Sequence, residues 1–307
     1  MGTTPALPRL LLLVNQDKAE AAQASQEVSD LIRRHATLVA SLPAIDGPLP
    51  GGLGTLDAVV VMGGDGTLLG QSRRCHGLSV PILGINMGRV GFMAEFDLES
   101  VRQQAATLFA NPAARTHDSY PLQVAIRRRA TEETELVGLA INEAVITAGP
   151  PYKMLSLTLG INGRTGPVVN GDGLIVSTSL GSTAYNLSAG GPIVSPMVDA
   201  WAITPIAPFS LSFRPIVVTS LSTIEISCER INDSAGTGGA SGFSPGTTLV
   251  LDGHSQTRVR TGDRILITRH ERPIRFVSNP AADYWFRLIT KLNWADSPRA
   301  RHGQAEG

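Results

Sequence analysis

An apolar strand that runs directly into a glycine-rich turn constrains this 307-residue chain more than any other feature. The segment Asp57–Met62 contains three consecutive valines, and it is followed at once by Gly63-Gly64-Asp65-Gly66-Thr67. A strand that is apolar on both faces is typical of a parallel sheet covered by helices on both sides. Because ligands in such sheets bind at the carboxyl ends of the strands, the turn is predicted to face a binding site.

The residue types in this turn favour a phosphate-binding role. Glycine lets backbone N–H groups approach an anion without a Cβ atom between them. A helix predicted to begin near Thr67 would point its positive end at the same anion. Asp65 would repel a phosphate unless it accepts a proton from a hydroxyl or acts through a metal. The turn therefore suits phosphoryl transfer between two bound partners, and an ordinary tight turn is the alternative interpretation.

Two familiar nucleotide-binding loops do not fit the same residues. The turn lacks the lysine that follows the glycines of a Walker A loop. Its glycine spacing also differs from the G-x-G-x-x-G pattern of Rossmann domains, which disfavours a simple redox use of a dinucleotide.

The chain divides into regions of different periodicity, and the predicted fold class is α/β plus all-β. Residues 1–114 alternate apolar strands, such as Arg9–Asn15, with helix patterns, such as Ala19–His35 and Asp97–Ala110, where Asp97 is a candidate N-cap. This alternation predicts an N-terminal doubly wound α/β domain with a glycine-rich phosphate turn. Residues 115–278 contain short strands separated by turn residues, as in an antiparallel β-sandwich-like domain. Residues 279–307 hold a last helix, Ala282–Leu292, predicted to pack back on the first domain, and then a frayed tail.

Composition excludes several classes of protein. The 26 basic and 26 acidic residues cancel, which argues against nucleic-acid or membrane-surface partners. The two cysteines, Cys75 and Cys228, provide neither a disulfide framework nor a zinc cluster. With no signal-peptide pattern and no long apolar run, we expect a cytoplasmic protein. The basic residues are nearly all arginine, a bias most simply explained by genome composition, and the lysines are Lys18, Lys153 and Lys291.

A second segment rich in glycine and hydroxyl groups, Asp172–Pro192, is a candidate for binding a flat ring. Small side chains let a ring lie against the backbone, and Tyr185 could stack on the ring or cap it. An ordinary loop with a close-packed turn is the alternative. Upstream, Asn142 and Glu143 interrupt an apolar strand pattern and must point to opposite faces. One of the two must therefore be partnered in the interior or belong to a site.

Taken in order, these segments resemble the NAD kinase family. The glycine turn alone is shared with lipid kinases and, more loosely, with phosphofructokinases, whereas the later blocks are more specific. The blocks that carry the resemblance are Gly63–Thr67, Asn86–Phe92, Asn142–Glu143, Asp172–Gly173, Gly181–Pro192, Thr204–Ile206, Arg214–Val217, Leu251–Gly253 and Lys291–Trp294.

The resemblance implies an enzyme that phosphorylates NAD with ATP on the 2′-hydroxyl of the adenosine ribose to give NADP. It implies Asp65 as the general base, Mg²⁺ or another divalent cation arriving with ATP, and no metal-ligating residues. It also implies a homodimer or homotetramer in which one subunit lends residues to its neighbour's site. The substrate-binding residues that it implies are Gly63, Gly64, Gly66, Thr67, Phe92, Asn142, Glu143, Lys153, Asn170, Asp172, Leu180, Thr183, Ala184, Tyr185, Asn186, Leu187, Ser188 and His254.

The chain departs from the family pattern at several positions near the implied pocket. Leu180 replaces a residue with a hydroxyl group, and His254 replaces a usual glutamine. Ala207 and Phe209 stand where relatives commonly carry cysteine and histidine. These departures leave open the acceptor, NAD or NADH, and the donor, ATP or polyphosphate. Two other hypotheses also stay open: a lipid or sugar kinase that shares only the glycine turn, and a non-catalytic dinucleotide sensor.

Overall fold

A computed structural model describes residues 6–88, 91–233, 246–292 and 294 of the chain. Within these residues the chain forms three six-stranded sheets. The α-helices are α1 (Ala19–His35), α2 (Asp65–Cys75), α3 (Leu98–Ala110), α4 (Tyr185–Ser188) and α5 (Tyr284–Leu292). The strands are β1 (Arg9–Val14), β2 (Thr37–Pro43), β3 (Ala58–Gly63), β4 (Ile82–Asn86), β5 (Thr116–Ser119), β6 (Leu122–Arg127), β7 (Thr134–Ala140), β8 (Glu143–Thr147), β9 (Leu155–Ile161), β10 (Arg164–Gly171), β11 (Gly173–Thr178), β12 (Ala200–Ile206), β13 (Ile216–Thr219), β14 (Ile224–Arg230), β15 (Thr248–Leu251), β16 (Ser255–Arg258), β17 (Arg264–Arg269) and β18 (Ile274–Val277).

The first sheet has the order β2-β1-β3-β4-β18-β5, and its first four strands run parallel. Strand β1 is buried on both faces because successive side chains point in opposite directions. Leu10 and Leu12 pack in one core with helices α1 and α3, whereas Leu11 and Leu13 pack in another with Leu68 of α2. This arrangement confirms the predicted doubly wound α/β domain.

Local signals place the helices of this domain. Helix α1 has the predicted bounds, and Asp97 caps α3 as predicted because its carboxylate accepts a hydrogen bond from Ser100 N at 2.8 Å. Helix α2 begins at Asp65, two residues before the predicted start at Thr67. Asp65 therefore lies in the first turn of α2, where the helix dipole favours negative charge.

The other two sheets are antiparallel and pack face to face. Their orders are β10-β9-β14-β17-β6-β7 and β13-β12-β11-β8-β15-β16. One core lies between them and takes side chains from both sheets, among them Leu157 and Ile226 from the first and Val176 and Trp201 from the second. The predicted antiparallel β-sandwich-like domain is confirmed.

The strand pairing differs from the domain boundaries predicted at residues 114/115 and 278/279. Strands β5 and β18 were assigned to the second domain, yet both belong to the first sheet. Strand β18 pairs in parallel with β4, and β5 pairs antiparallel with β18. The edge of the parallel sheet satisfies their backbone hydrogen bonds, a long-range pairing that has no local sequence signal. We propose boundaries close to residues 120 and 273.

The last helix, α5, packs on the first domain, as predicted. The guanidinium of Arg287 donates to the Phe92 carbonyl at 3.3 Å and to Glu95 Oε1 at 3.1 Å. The same Glu95 carboxylate accepts from the Asn279 amide at 2.8 Å. The predicted frayed tail after Trp294 lies outside the described residues. No helix in the described part of the chain is both long and apolar enough to span a membrane.

Candidate active site

The glycine turn forms the junction between strand β3 and helix α2. Gly63 ends the strand, Gly64 is the N-cap of the helix, and Gly66 and Thr67 lie in its first turn with Asp65. A Cβ atom on Gly63 would lie 2.5 Å from Thr67 Cβ, so only glycine allows this approach. The Thr67 hydroxyl accepts a hydrogen bond from Asn15 Nδ2 at 2.8 Å, which ties the helix to the end of β1.

Three backbone N–H groups hold the Asp65 carboxylate in one orientation. Oδ2 accepts from Phe92 N at 2.6 Å, and Oδ1 accepts from Met93 N at 3.2 Å and from Ala94 N at 3.3 Å. A carboxylate offers about four acceptor positions. One acceptor position on Oδ2 therefore remains for a hydroxyl donor at the carboxyl edge of the sheet.

Gly91 allows the carboxylate to occupy this place. A Cβ atom built on Gly91 would overlap Asp65 Oδ1, far inside van der Waals contact. In the sequence, Gly91 lies within one of the blocks that carry the family resemblance, and no role was predicted for it. The structure shows that the Asp65 carboxylate can lie here only because residue 91 is glycine.

Asn142 and Glu143 lie at the start of strand β8 and are held by Asp252. The Asp252 carboxylate accepts from the amides of Ile141 at 2.9 Å, Asn142 at 2.7 Å and Glu143 at 3.1 Å. It also forms a 2.8 Å salt bridge with Arg73 of helix α2, and its own side chain is fully buried. Asp252 thus connects the helix that carries Asp65 to the strand that carries the polar pair.

Two buried oxygen atoms of this pair have no hydrogen-bond partner among the described residues: Asn142 Oδ1 and Glu143 Oε2. Buried polar atoms are nearly always bonded to protein, water or ligand. Burial, and secondarily the charge of Asp252, raises the pKa of Glu143 to about 8. The Glu143 carboxyl therefore carries a proton at neutral pH and can donate as well as accept a hydrogen bond.

We expect Glu143→Gln to flatten the pH dependence of stability. Between about pH 4.5 and pH 8 the folded protein retains a proton on Glu143 that the unfolded chain has released. The stability contributed by this group is therefore complete at low pH and is lost as pH rises towards about 8. The measurement is the urea midpoint of wild type and variant across this range, with the variant gaining relative stability at the alkaline end.

The surface residue Glu20 provides the control for this comparison, since Glu20→Gln also removes one carboxyl group but lies exposed on α1. If the urea midpoints of wild type and Glu143→Gln changed with pH in the same way, the raised pKa of Glu143 would be contradicted.

The segment 180–188 lies against this polar pair. Leu180 packs in one core with Ile141, Met93 and Ala94, so the lost hydroxyl is replaced by an apolar contact between the two domains. A Cβ on Gly181 would overlap the Asn142 carbonyl oxygen. Thr183, Ala184 and Leu187 are partly exposed, and Tyr185 and Ser188 are exposed.

Asn186 differs from the other residues of this segment because its side chain is buried and fully engaged. Its Nδ2 donates to the carbonyls of Ser182 and Pro192, each at 3.1 Å. Its Oδ1 accepts from the Thr204 hydroxyl at 2.7 Å. Asn186 therefore stabilises the conformation of the segment from its buried side. Both N–H donors of its side chain are already used, so it has none to offer a substrate.

Four further predicted residues, Lys153, Asn170, Asp172 and His254, have other partners or are exposed within the described part of the chain. Asn170 Oδ1 accepts from Ser156 Oγ at 2.6 Å, and the backbone of Lys153 pairs with the Asn232 side chain. Asp172 is exposed between β10 and β11. His254 lies 3.7 Å from Asp46, opposite a loop of the first domain.

Sequence reasoning missed Asp252 and Arg73 as parts of this site. The block Leu251–Gly253 belongs to the family resemblance, and that block is the one local signal that could have pointed to Asp252. Arg73 has no such signal, because basic residues are common in the last turn of a helix, where they interact favourably with the helix dipole.

Two family models match the chain. The ATP-NAD kinase N-terminal domain matches residues 54–113, and the ATP-NAD kinase C-terminal domain matches residues 141–279. The NAD kinase of Geotalea daltonii is 37% identical over 241 residues, which cover 78% of this chain and 79% of that relative. The NAD kinase of Desulforamulus reducens is 33% identical over 293 residues, which cover 92% of this chain and 96% of that relative.

Solved structures show the same likeness. An NAD kinase from Archaeoglobus fulgidus in complex with ATP has a TM-score of 0.68 and 26% identity, over 93% of this chain and 98% of that chain. Yeast NADH kinase complexed with NADH has a TM-score of 0.72 over 96% of this chain and 90% of that chain. At 23% identity, the similarity to the yeast structure shows a shared fold and nothing further.

Proposed function

The chain belongs to the ATP-NAD kinase family, and we propose that its site transfers the γ-phosphoryl group of ATP to the 2′-hydroxyl of the adenosine ribose of NAD. The product is NADP. The observation that carries this function is the Asp65 carboxylate, fixed by three amides with one acceptor position open beside the glycine turn. Phosphoryl transfer requires alignment and charge neutralisation more than covalent chemistry, and a fixed carboxylate suits it.

In this reaction Asp65 is the general base. The 2′-hydroxyl donates a hydrogen bond to Asp65 Oδ2 and passes its proton to that carboxylate as its oxygen attacks the γ-phosphorus. The new O–P bond forms while the bond from the γ-phosphorus to the β,γ-bridging oxygen breaks. ADP leaves with that electron pair. The amides of residues 92–94 keep the carboxylate aligned throughout.

Asn142 and Glu143 are proposed to bind the ribose hydroxyls. Their two unpartnered buried oxygens support this role, since a ribose supplies hydroxyl groups that donate and accept. A protonated Glu143 would donate to one sugar oxygen, and Asn142 Oδ1 would accept from a hydroxyl. Tyr185, exposed at the segment 180–188, is proposed to stack on a ring of the dinucleotide with Thr183, Ala184, Leu187 and Ser188 around it.

The divalent cation is proposed to arrive with ATP as part of the substrate. The described residues contain no group of three or more His, Cys, Asp or Glu side chains that could hold a metal ion. Mg²⁺ commonly keeps several waters and is bound through substrate phosphates, so it needs few protein ligands in such a site.

A homo-oligomer is proposed for the active protein. The loop after β12 exposes Phe209 and Leu211, which are 78% and 87% accessible, and large exposed apolar groups mark interaction surfaces. Lys153, Asn170 and Asp172 would then contact substrate together with residues of a neighbouring subunit. A cytoplasmic location is also proposed, in keeping with NAD and ATP as the proposed substrates.

An assay of NADP formation tests the proposed function. The pure protein, incubated with ATP, Mg²⁺ and NAD, should form NADP, and separate reactions with NADH and with polyphosphate determine acceptor and donor. Phosphorylation of a lipid or sugar without NADP formation would instead support a kinase that shares only the glycine turn. Calorimetric binding of NAD without turnover by any donor would support a dinucleotide sensor.

A further inference from the structure

Lysine is rare in this chain, and its placement is unusual. Only three of the 26 basic residues are lysines. Every ion pair formed by a basic side chain within the described residues uses arginine, apart from one histidine. Lysine therefore has no part in the structural ion pairs of the described chain, and its few positions call for a different explanation.

Lys18 lies beside the glycine turn. Its ammonium donates to the Met87 carbonyl at 3.2 Å. A Cβ atom on Gly64, the N-cap of α2, would lie 2.9 Å from Lys18 Nζ, and one on Gly88 would lie 3.8 Å from it. An ammonium has three donors, and one acceptor is found for it in the described part of the chain, so two N–H groups remain for an anion.

Lys291 approaches the same turn from helix α5. Its ammonium lies 4.9 Å from the centre of the Phe92 ring, and the Phe92 amide donates to Asp65. Partial burial lowers the pKa of Lys291, while the Asp65 carboxylate acts in the opposite direction, so the two charges are close enough to interact. Arg287, one turn earlier, bonds to the Phe92 carbonyl and anchors this part of α5.

We propose that Lys18, beside Gly64, and Lys291, beside Phe92, are the cationic ligands of the donor triphosphate. The proposal rests on the proposed kinase function and adds the donor subsite to it. ATP brings about four negative charges, which the backbone N–H groups of a short turn neutralise only in part. A compact ammonium on a flexible stem is well suited to phosphate oxygens that shift during transfer.

We assign the two lysines to the phosphates of ATP, and not to the pyrophosphate of NAD, for a geometric reason. The acceptor ribose must place its hydroxyl on Asp65 Oδ2 while its other hydroxyls reach Asn142 and Glu143, on the side of the second domain. Lys18 lies in the first domain, close to Gly64 and Gly88. The γ-phosphoryl group must approach the hydroxyl from a side that the ribose does not occupy, which in this proposal is the side of the glycine turn and Lys18.

Chemical labelling of the wild-type protein tests the proposal without relying on turnover. Pyridoxal 5′-phosphate forms an imine with a lysine amine and releases water, and borohydride then adds hydride to give a stable secondary amine. With three lysines in the chain, peptide mapping assigns each product. ATP is expected to protect Lys18 and Lys291, and NAD is expected not to protect them.

Substitutions of the two lysines test the same proposal through the affinity for ATP. We expect Lys18→Met and Lys291→Met each to raise the KM for ATP, and the Kd for a non-hydrolysable ATP analogue, about tenfold or more. The KM for NAD should change less than about twofold, and Lys→Arg should recover part of the loss. Arg34→Met, an exposed charge on α1, should change neither constant.

Protection of both lysines by NAD and not by ATP, or unchanged analogue affinity in both variants, would overturn the proposal. These outcomes are separate from failure of the kinase function, since an enzyme that forms no NADP can still be tested for analogue binding. If a variant fails to fold, the labelling of the wild type decides.

Discussion

Replacing Asp65 by Asn is expected to lower kcat by about 10²- to 10⁴-fold, the usual contribution of a positioned general base. Asn cannot take the proton of the 2′-hydroxyl, because its amide oxygen is a far weaker base than a carboxylate. The side chain has the same size, and its oxygen can still accept from the Met93 and Ala94 amides. The variant should therefore fold, and steady-state kinetics with thermal unfolding on the same sample separates the two effects.

Asp30→Asn is the matched control for this variant. It makes the same chemical change on the surface of α1, where Asp30 forms an exposed ion pair with Arg33, and such pairs contribute little to stability. A kcat for Asp65→Asn close to that of Asp30→Asn would remove Asp65 from the role of base.

A steric variant tests the same role without altering Asp65. Gly91→Ala would place a methyl group where the Asp65 carboxylate lies, so the carboxylate must leave the amides that orient it. We expect kcat to fall towards that of Asp65→Asn. Gly77→Ala is the control, since a Cβ at Gly77 meets nothing within 4 Å. Normal turnover by Gly91→Ala would mean that the exact position of the carboxylate has no importance.

Features with a local signal were predicted well from the sequence. The apolar run of β1, the periodicity of α1 and the Asp97 cap each depend on a few neighbouring residues, and the structure confirms all three. The glycine turn is also local, which is why Asp65 could be predicted as the general base before its surroundings were known. Its hydrogen-bond partners, 27 to 29 residues further along the chain, could not.

The features that were missed depend on contacts between distant segments. Strands β5 and β18 complete the first sheet only because the second domain returns the chain to the β4 edge. Asp252 is 109 residues from Glu143, and Arg73 is 179 residues from Asp252. Neither hydrophobic periodicity nor motif spacing indicates which residues so far apart in the sequence will be in contact. The placement of the lysines was also hidden in the sequence, because Lys18 and Lys291 are 273 residues apart and only the fold brings one beside Gly64 and the other beside Phe92.

Replacing Asp252 by Ala is expected to lower the free energy of unfolding by about 3–5 kcal/mol, as for other broken buried ion pairs. The variant leaves Arg73 and the amides of residues 141–143 without their shared acceptor. Since a domain is stable by about 5–15 kcal/mol, this is a large fraction of the total. Urea unfolding of wild type and variant measures it.

A second buried ion pair separates loss of stability from loss of the site. Asp263 is 3% exposed, bonds to Arg128 at 2.9 Å and accepts from the Arg129 and Arg260 amides, but it lies in the second domain away from Asp65. Asp263→Ala should be destabilised by a similar amount and, under conditions where it is folded, should keep its KM for NAD. Asp252→Ala should raise that KM, because Asn142 and Glu143 lose the acceptor that positions their backbone. Equal KM values for NAD in the two variants would mean that the Asp252–Arg73 ion pair has a structural role only, and that the connection from helix α2 to Asn142 and Glu143 has no effect on NAD binding.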